Sequence, residues 1–92
     1  MATQNKTKYT DVTNMRSISD LLLDRPIKVI GKVIGRVDQT NKSGALFLKT
    51  DHFEVTAVSD KNISSFKIGQ TVTVKGTYQG KGERGIIIDE IS

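Results

Sequence analysis

The chain has no cysteine and a single histidine among its 92 residues. Without thiols there is no disulfide, no thiolate zinc site and no cysteine nucleophile, and one imidazole is too few for another transition-metal cage. No cofactor is expected. Long apolar runs are missing as well: the longest, Leu21 to Leu23 and Ile86 to Ile88, are three residues each, against the ~20 that a membrane-spanning helix needs. The N-terminus, MATQNKTKYT, lacks the apolar stretch of a secretory signal. The expectation is a cytoplasmic protein with no membrane partner, in which the N-x-S/T sequons at Asn5, Asn41 and Asn62 carry no meaning.

With 36% hydrophobic and 26% charged residues, the composition is that of an ordinary globular chain, and its length allows one core rather than two. The formal charge is +4, from 14 Lys and Arg against 10 Asp and Glu. Half of the excess lies in residues 1–16, where Lys6, Lys8 and Arg16 face only Asp11. A positive balance suits a polyanionic partner, although many small basic domains bind none.

Residues 1–15 carry only Tyr9, Val12 and Met15 as large apolar groups and read as a flexible N-terminal tail, with a single domain over 16–92. Ser17 or Ser19 can cap a short helix through Leu23, with Asp20 complementing its dipole and Pro26 ending it. Ile18, Leu21 and Leu22 would share one face of that helix and cover an end of the core.

From Ile27 the period changes to two. In IKVIGKVIGRVDQT, Val29, Gly31, Val33, Gly35 and Val37 fall on one side, and Lys28, Ile30, Lys32, Ile34 and Arg36 on the other. Large apolar groups on both sides, with two glycines four apart, describe a strand that coils strongly and takes part in two sheets. After the turn Asn41-Lys42-Ser43-Gly44 come a strand over 45–50, a tight turn at Asp51-His52 and a strand over 53–58. Leu46 and Leu48 point inward and Phe47 outward. Val55 and Ala57 face the core, with Glu54 and Thr56 outside. The polar connection 59–69 holds Ile63, Phe66 and Ile68, enough for a short helix or turn that plugs the core. Val72, Val74 and Tyr78 then alternate with outward Thr73, Lys75, Thr77 and Gln79, and the loop QGKGERG leads to a last strand over 86–91.

These elements predict an all-β fold: a small closed five-stranded barrel with a short N-terminal helix and a short helix or turn between strands three and four. Over 27–91, the segments VIGKVIGRV, GALFLKTD, FEVTAV, FKIGQTVTVKGTY and GIIIDEI resemble OB-fold nucleic-acid-binding domains of the tRNA-anticodon and replication protein A type. The most specific piece is FKIGQTVTVKG. The resemblance implies an OB barrel and binding of single-stranded nucleic acid.

Several motifs admit a plain reading beside a functional one. Gly80 to Gly85 matches G-x-G-x-x-G, but a strand follows it and no helix N-terminus is there to receive a pyrophosphate, which excludes dinucleotide binding. The loop is either a flexible hairpin connection or, in an OB barrel, a flank of the groove where Lys81 and Arg84 could close over phosphates. His52 sits in a tight turn without the pocket and orienting group that acid-base work needs. Asp89 and Glu90, adjacent in a strand, should point to opposite faces and so form no carboxylate pair. An enzyme is not expected.

An outward Phe47 is a candidate stacking platform for a base, unless a bulge turns it inward or the N-terminal segment covers it. Lys28, Lys32, Arg36, Lys49 and Lys75 would line the same face as phosphate contacts, unless they are only a solvated basic surface, and Thr56, Thr73 and Thr77 would supply hydrogen bonds. The expected function is non-enzymatic binding of single-stranded DNA or RNA through a basic groove with an aromatic platform. The alternative is a small OB-fold subunit that docks other protein subunits.

Overall fold

A computed structural model describes residues 8–38, 44–60, 63–82 and 84–92. The turn residues Asn41, Lys42 and Ser43 lie outside the described set, as do Lys61, Asn62 and Glu83. Six strands follow one another: β1 Thr10–Asp11, β2 Pro26–Asp38, β3 Gly44–Lys49, β4 Glu54–Ser59, β5 Thr71–Tyr78 and β6 Ile86–Ile91.

β2 is long enough to serve two neighbours. Its first half pairs antiparallel with β5, from Pro26↔Thr77 to Lys32↔Thr71, and its second half with β3, from Lys32↔Lys49 to Asp38↔Gly44. β3 continues antiparallel to β4, β4 meets β6 in a short parallel pairing at Ala57↔Ile86 and Val58↔Ile87, and β6 returns to β5. The circuit β2-β3-β4-β6-β5 closes, giving the five-stranded OB barrel that the sequence elements resemble, with β1 as an added strand. Among the described residues no helix is long and apolar enough to cross a membrane.

The core is the inward set of these strands: Ile27, Val29 and Val33 from β2, Leu46 and Leu48 from β3, Ala57, then Val72, Val74, Tyr78 and Ile86. Ile63 fills one end, and the turn-rich connector that carries it has the plugging role expected without forming a helix. Ile68 does not join it and is 69% exposed.

Three expectations are corrected. The N-terminal segment is not a tail from Thr10 onward: β1 pairs parallel with β2 at Thr10↔Ile27 and Asp11↔Lys28, and Val12 is fully buried. The amide of Val12 donates to Lys28 O (2.9 Å), and the Ile30 amide donates to Thr13 Oγ1 (2.9 Å). The segment thus occupies the edge of β2 that β3 does not reach, satisfying backbone groups that would otherwise be open. The N-terminal helix is only a 3-10 turn, Asp20–Leu22, capped as expected by Ser19, whose Oγ accepts from the Leu21 amide (3.2 Å). With one turn there is no continuous apolar face, so Ile18 is buried while Leu21 is 89% exposed.

The third correction is the parity of β2. The register shifts between Val33 and Gly35, leaving Ile34 as a bulge. One extra residue exchanges the two faces beyond it. Gly35 and Val37 therefore lie outward, opposite Phe47 and Ala45, and Arg36 takes the inward position opposite Leu46. Its guanidinium donates to Ser64 O (2.9 Å) and Phe66 O (2.7 Å), tying the connector across the end of the barrel.

Burial of Val12 yields a stability prediction. Val12→Ala should lower unfolding free energy by about 2 kcal/mol, from two lost carbon groups and a small cavity. Deleting residues 1–14 should lower the urea midpoint further, because the β2 edge loses its partners too. Unchanged midpoints for both proteins would show the segment to be dispensable.

Candidate nucleic-acid interface

Phe47 faces outward, as the alternation of β3 requires, between Gly35 on β2 and Thr56 on β4. It is 36% exposed. One edge of its ring rests on Gly35, where an added Cβ would meet Phe47 Cδ2 at 2.8 Å, so the glycine makes room for the ring to lie low on the sheet. Beside the ring is a groove of about 320 Å³. It is lined by Phe53, Glu54, Val55 and Thr56 around the start of β4, by Ser17, Ile18 and Tyr78, and by Gly80, Lys81, Gly82 and Gly85 of the β5–β6 loop. Gly80 and Gly82 have φ of +100° and +140°, conformations that side chains disfavour, so the loop can turn sharply beside the ring.

Of the residues singled out from sequence, the structure brings Phe47, Thr56 and Lys81 to this groove. Lys49 lies on the same outer face, two residues along β3 from Phe47, and Lys32 is its cross-strand partner. Both are exposed. They continue the face from the ring toward β2.

The other named residues lie elsewhere. Arg36 points inward, as described. Arg84 is exposed and lines a different depression, with Asp60, Ile87 and Asp89. Lys28, Lys75, Thr73 and Thr77 gather on the outer side of the β2–β5 pairing, where Lys28 and Lys75 are directly opposite. Both lysines there have acidic partners: Lys28 Nζ is 3.7 Å from Asp11 Oδ2 and Lys75 Nζ is 3.1 Å from Glu90 Oε1. Tyr9 covers Lys75, its ring centroid 5.8 Å from Nζ, and its hydroxyl donates to Asp89 Oδ2 (2.9 Å). That hydrogen bond, kept only by the protonated phenol, raises the Tyr9 pKa. Hydrogen bonds from Thr13 lower the Asp11 carboxyl, with nearby Lys28 adding to the effect.

The acidic pair also departs from expectation. The β5–β6 register shifts so that Gly76 faces Ile88 and Lys75 faces Glu90, leaving Asp89 as the extra residue. Asp89 and Glu90 therefore reach the same Tyr9–Lys75 pair instead of opposite faces.

Sequence reading missed Ser17, Ile18, Phe53 and Glu54 as parts of the groove. Their signal was weak: Ser17 and Ile18 come from a non-repeating segment, and Phe53 and Glu54 are set by a tight turn. There Thr50 Oγ1 accepts from the amides of His52 and Phe53 (both 3.1 Å).

No family model matches the chain, and no curated protein matches it. Solved structures do. Asparaginyl-tRNA synthetase from Pyrococcus horikoshii, complexed with asparaginyl-adenylate, is similar with a TM-score of 0.69 and 15% identity, over 97% of this chain and 22% of that one. Aspartyl-tRNA synthetase from Entamoeba histolytica gives 0.69 and 12%, over 92% of this chain and 21% of that one. This chain spans about a fifth of the length of these synthetases. At such identities the likeness establishes the fold, an OB barrel.

The outward ring should contribute less to folding than a core side chain. Phe47→Ala should cost well under the ~3–5 kcal/mol of a buried phenylalanine, whereas Leu48→Ala, at a fully buried neighbour, should cost ~2–5 kcal/mol. Urea unfolding of both variants checks the strand register; comparable losses would place the ring in the core.

Proposed function

We propose that this OB barrel is a non-catalytic module that binds single-stranded RNA, with one base stacked on Phe47. The observation that carries the reading is the 36% exposed ring beside a groove that a glycine-rich loop bearing Lys81 helps to line. A partly exposed phenyl ring beside a groove offers a face on which any base can stack. Lys81, Lys49 and Lys32 meet phosphates on either side of the ring, and the Thr56 hydroxyl is within the groove for a base or a ribose. RNA is favoured over DNA because the solved structures of like fold are tRNA synthetases, proteins whose names carry their RNA substrate. An unpaired loop of a folded RNA presents the splayed bases that such a groove takes.

A second reading has its own support. Ile34 and Ile68 are exposed, and the Gly69 amide bonds Val33 O (2.7 Å), bringing their backbones side by side away from the groove. That apolar pair suits docking on another protein chain.

Fluorescence anisotropy with a labelled single-stranded RNA, the same sequence as DNA, and a duplex tests the proposal. The single strand should bind, and log Kd should vary linearly with log salt, with a slope near 0.7 per phosphate met. Lys81→Ala and Lys49→Ala should each lower the slope by up to about that amount. Phe47→Ala should weaken binding by ~1–3 kcal/mol, about 5- to 150-fold, with the fold intact. A wild type that leaves all three nucleic acids free, while assembling with another chain through Ile34 and Ile68, would replace this reading with the second one.

A further inference from the structure

Lys28 and Lys75 are direct cross-strand partners, the arrangement in which like charges repel most. Two cations placed so would draw a polyanion unless something offsets them. Outward Thr73 and Thr77 flank them on β5, so the site has the ammonium and hydroxyl donors of a phosphate contact. Yet each cation carries its own carboxylate, one from either end of the chain. Asp11 in β1 reaches Lys28, and Glu90 in β6 reaches Lys75. Tyr9 lies over Lys75 and is held in place by Asp89, the bulged residue of β6. Asp11 in turn accepts from the Thr13 amide (3.0 Å), fixing the segment that bears it.

We infer that the β2–β5 face is a second phosphate-binding surface which the N-terminal segment and the β6 carboxylates keep masked. Its ligand class is the sugar-phosphate backbone of a nucleic acid, read without regard to base. In the masked state Asp11, Asp89 and Glu90 more than offset the charge of Lys28 and Lys75, and a strand held at the groove is not drawn around the barrel past Lys32, the residue whose two cross-strand partners, Lys49 and Thr71, join the two faces. Exposed ion pairs of this kind add little to stability. Their effect on where a polyanion settles is larger, because each unpaired lysine releases a counterion when it meets a phosphate. Displacing the N-terminal segment would uncover the face and lengthen the bound track.

This inference rests on the groove reading for its ligand, and the test separates the two. The salt dependence of binding to a labelled single-stranded RNA is compared for wild type, Asp11→Asn/Glu90→Gln, and that double variant with Lys28→Ala and Lys75→Ala added. Asparagine keeps the acceptor for Thr13, and glutamine keeps the size of Glu90. The double variant should bind with a slope steeper by about 1.4, two phosphates at ~0.7 each, and the two alanines should return it to the wild-type slope. Lys28→Ala/Lys75→Ala in the otherwise wild-type chain should change little. Glu90→Gln alone, which leaves β1 untouched, should steepen the slope by about half as much and guards against an unfolded double variant. A wild type that binds while neither carboxylate variant is steeper overturns the inference, as does a gain that survives removal of both lysines. A wild type that fails to bind while the double variant binds through Lys28 and Lys75 upholds the masked face and removes the groove reading instead.

Discussion

The structure depends on one strand belonging to two sheets. β2 gives its first half to β5 and its second half to β3, and Lys32 is paired to both. A straight strand would hold both neighbours in one open sheet and could not close the circuit into a barrel. The coil is obtained by the bulge at Ile34 and by the absence of side chains where the sheet folds onto itself. At Gly31 a Cβ would come within 3.2 Å of Lys49 O, and at Gly35 within 2.8 Å of the Phe47 ring. The same extra residue that turns the strand also sends Arg36 inward to hold the connector and leaves a glycine under Phe47. Closure of the barrel and availability of the ring are thus two results of one irregularity.

The sequence was most legible where a strand has one wet face and one dry face. β3 and β5 alternate without interruption, and the inward positions of Leu46, Leu48, Val72, Val74 and Tyr78 follow from period two alone. Phe47 was legible for the same reason. Parity failed at Arg36 and at Glu90, each just beyond a bulge. A bulge inserts one residue without changing composition, so alternation on either side looks continuous while the faces have been exchanged. The glycines of IGKVIGRV announced a bend but not its position. The N-terminal segment was illegible for a different reason. It buries Val12 and packs Met15, while its other interactions are backbone and side-chain hydrogen bonds, an ion pair and the Tyr9 ring over Lys75, which leave no periodic apolar trace.

Charge was the least legible quantity. Counting lysines along a strand predicts a basic face but not whether each cation is free, and here two of the five strand cations are matched by acids far away in sequence: Asp11 lies 17 residues before Lys28, and Glu90 lies 15 after Lys75. Local sequence cannot show such pairings, since barrel closure creates them. The basic surface left beside the ring consists of Lys32, Lys49 and Lys81, a narrower track than the composition suggests.

If the barrel binds single-stranded RNA as proposed, a track that narrow places the burden of binding on the ring and loop rather than on charge. Three phosphates at a slope of ~0.7 each give an affinity that salt erodes moderately, and such a surface alone would hold any polyanion weakly. In that reading, stacking on Phe47 would be indifferent to salt and would require an unpaired base, favouring single strands over duplexes, in which the base faces are covered. The glycine-rich wall strengthens that preference, because a loop built on positive φ at Gly80 and Gly82 can pass close to a flat ligand without side chains in the way. The OB fold by itself selects no ligand. Under the proposed function, the selection in this chain would lie in an aromatic ring seated over a glycine, with Lys32, Lys49 and Lys81 nearby.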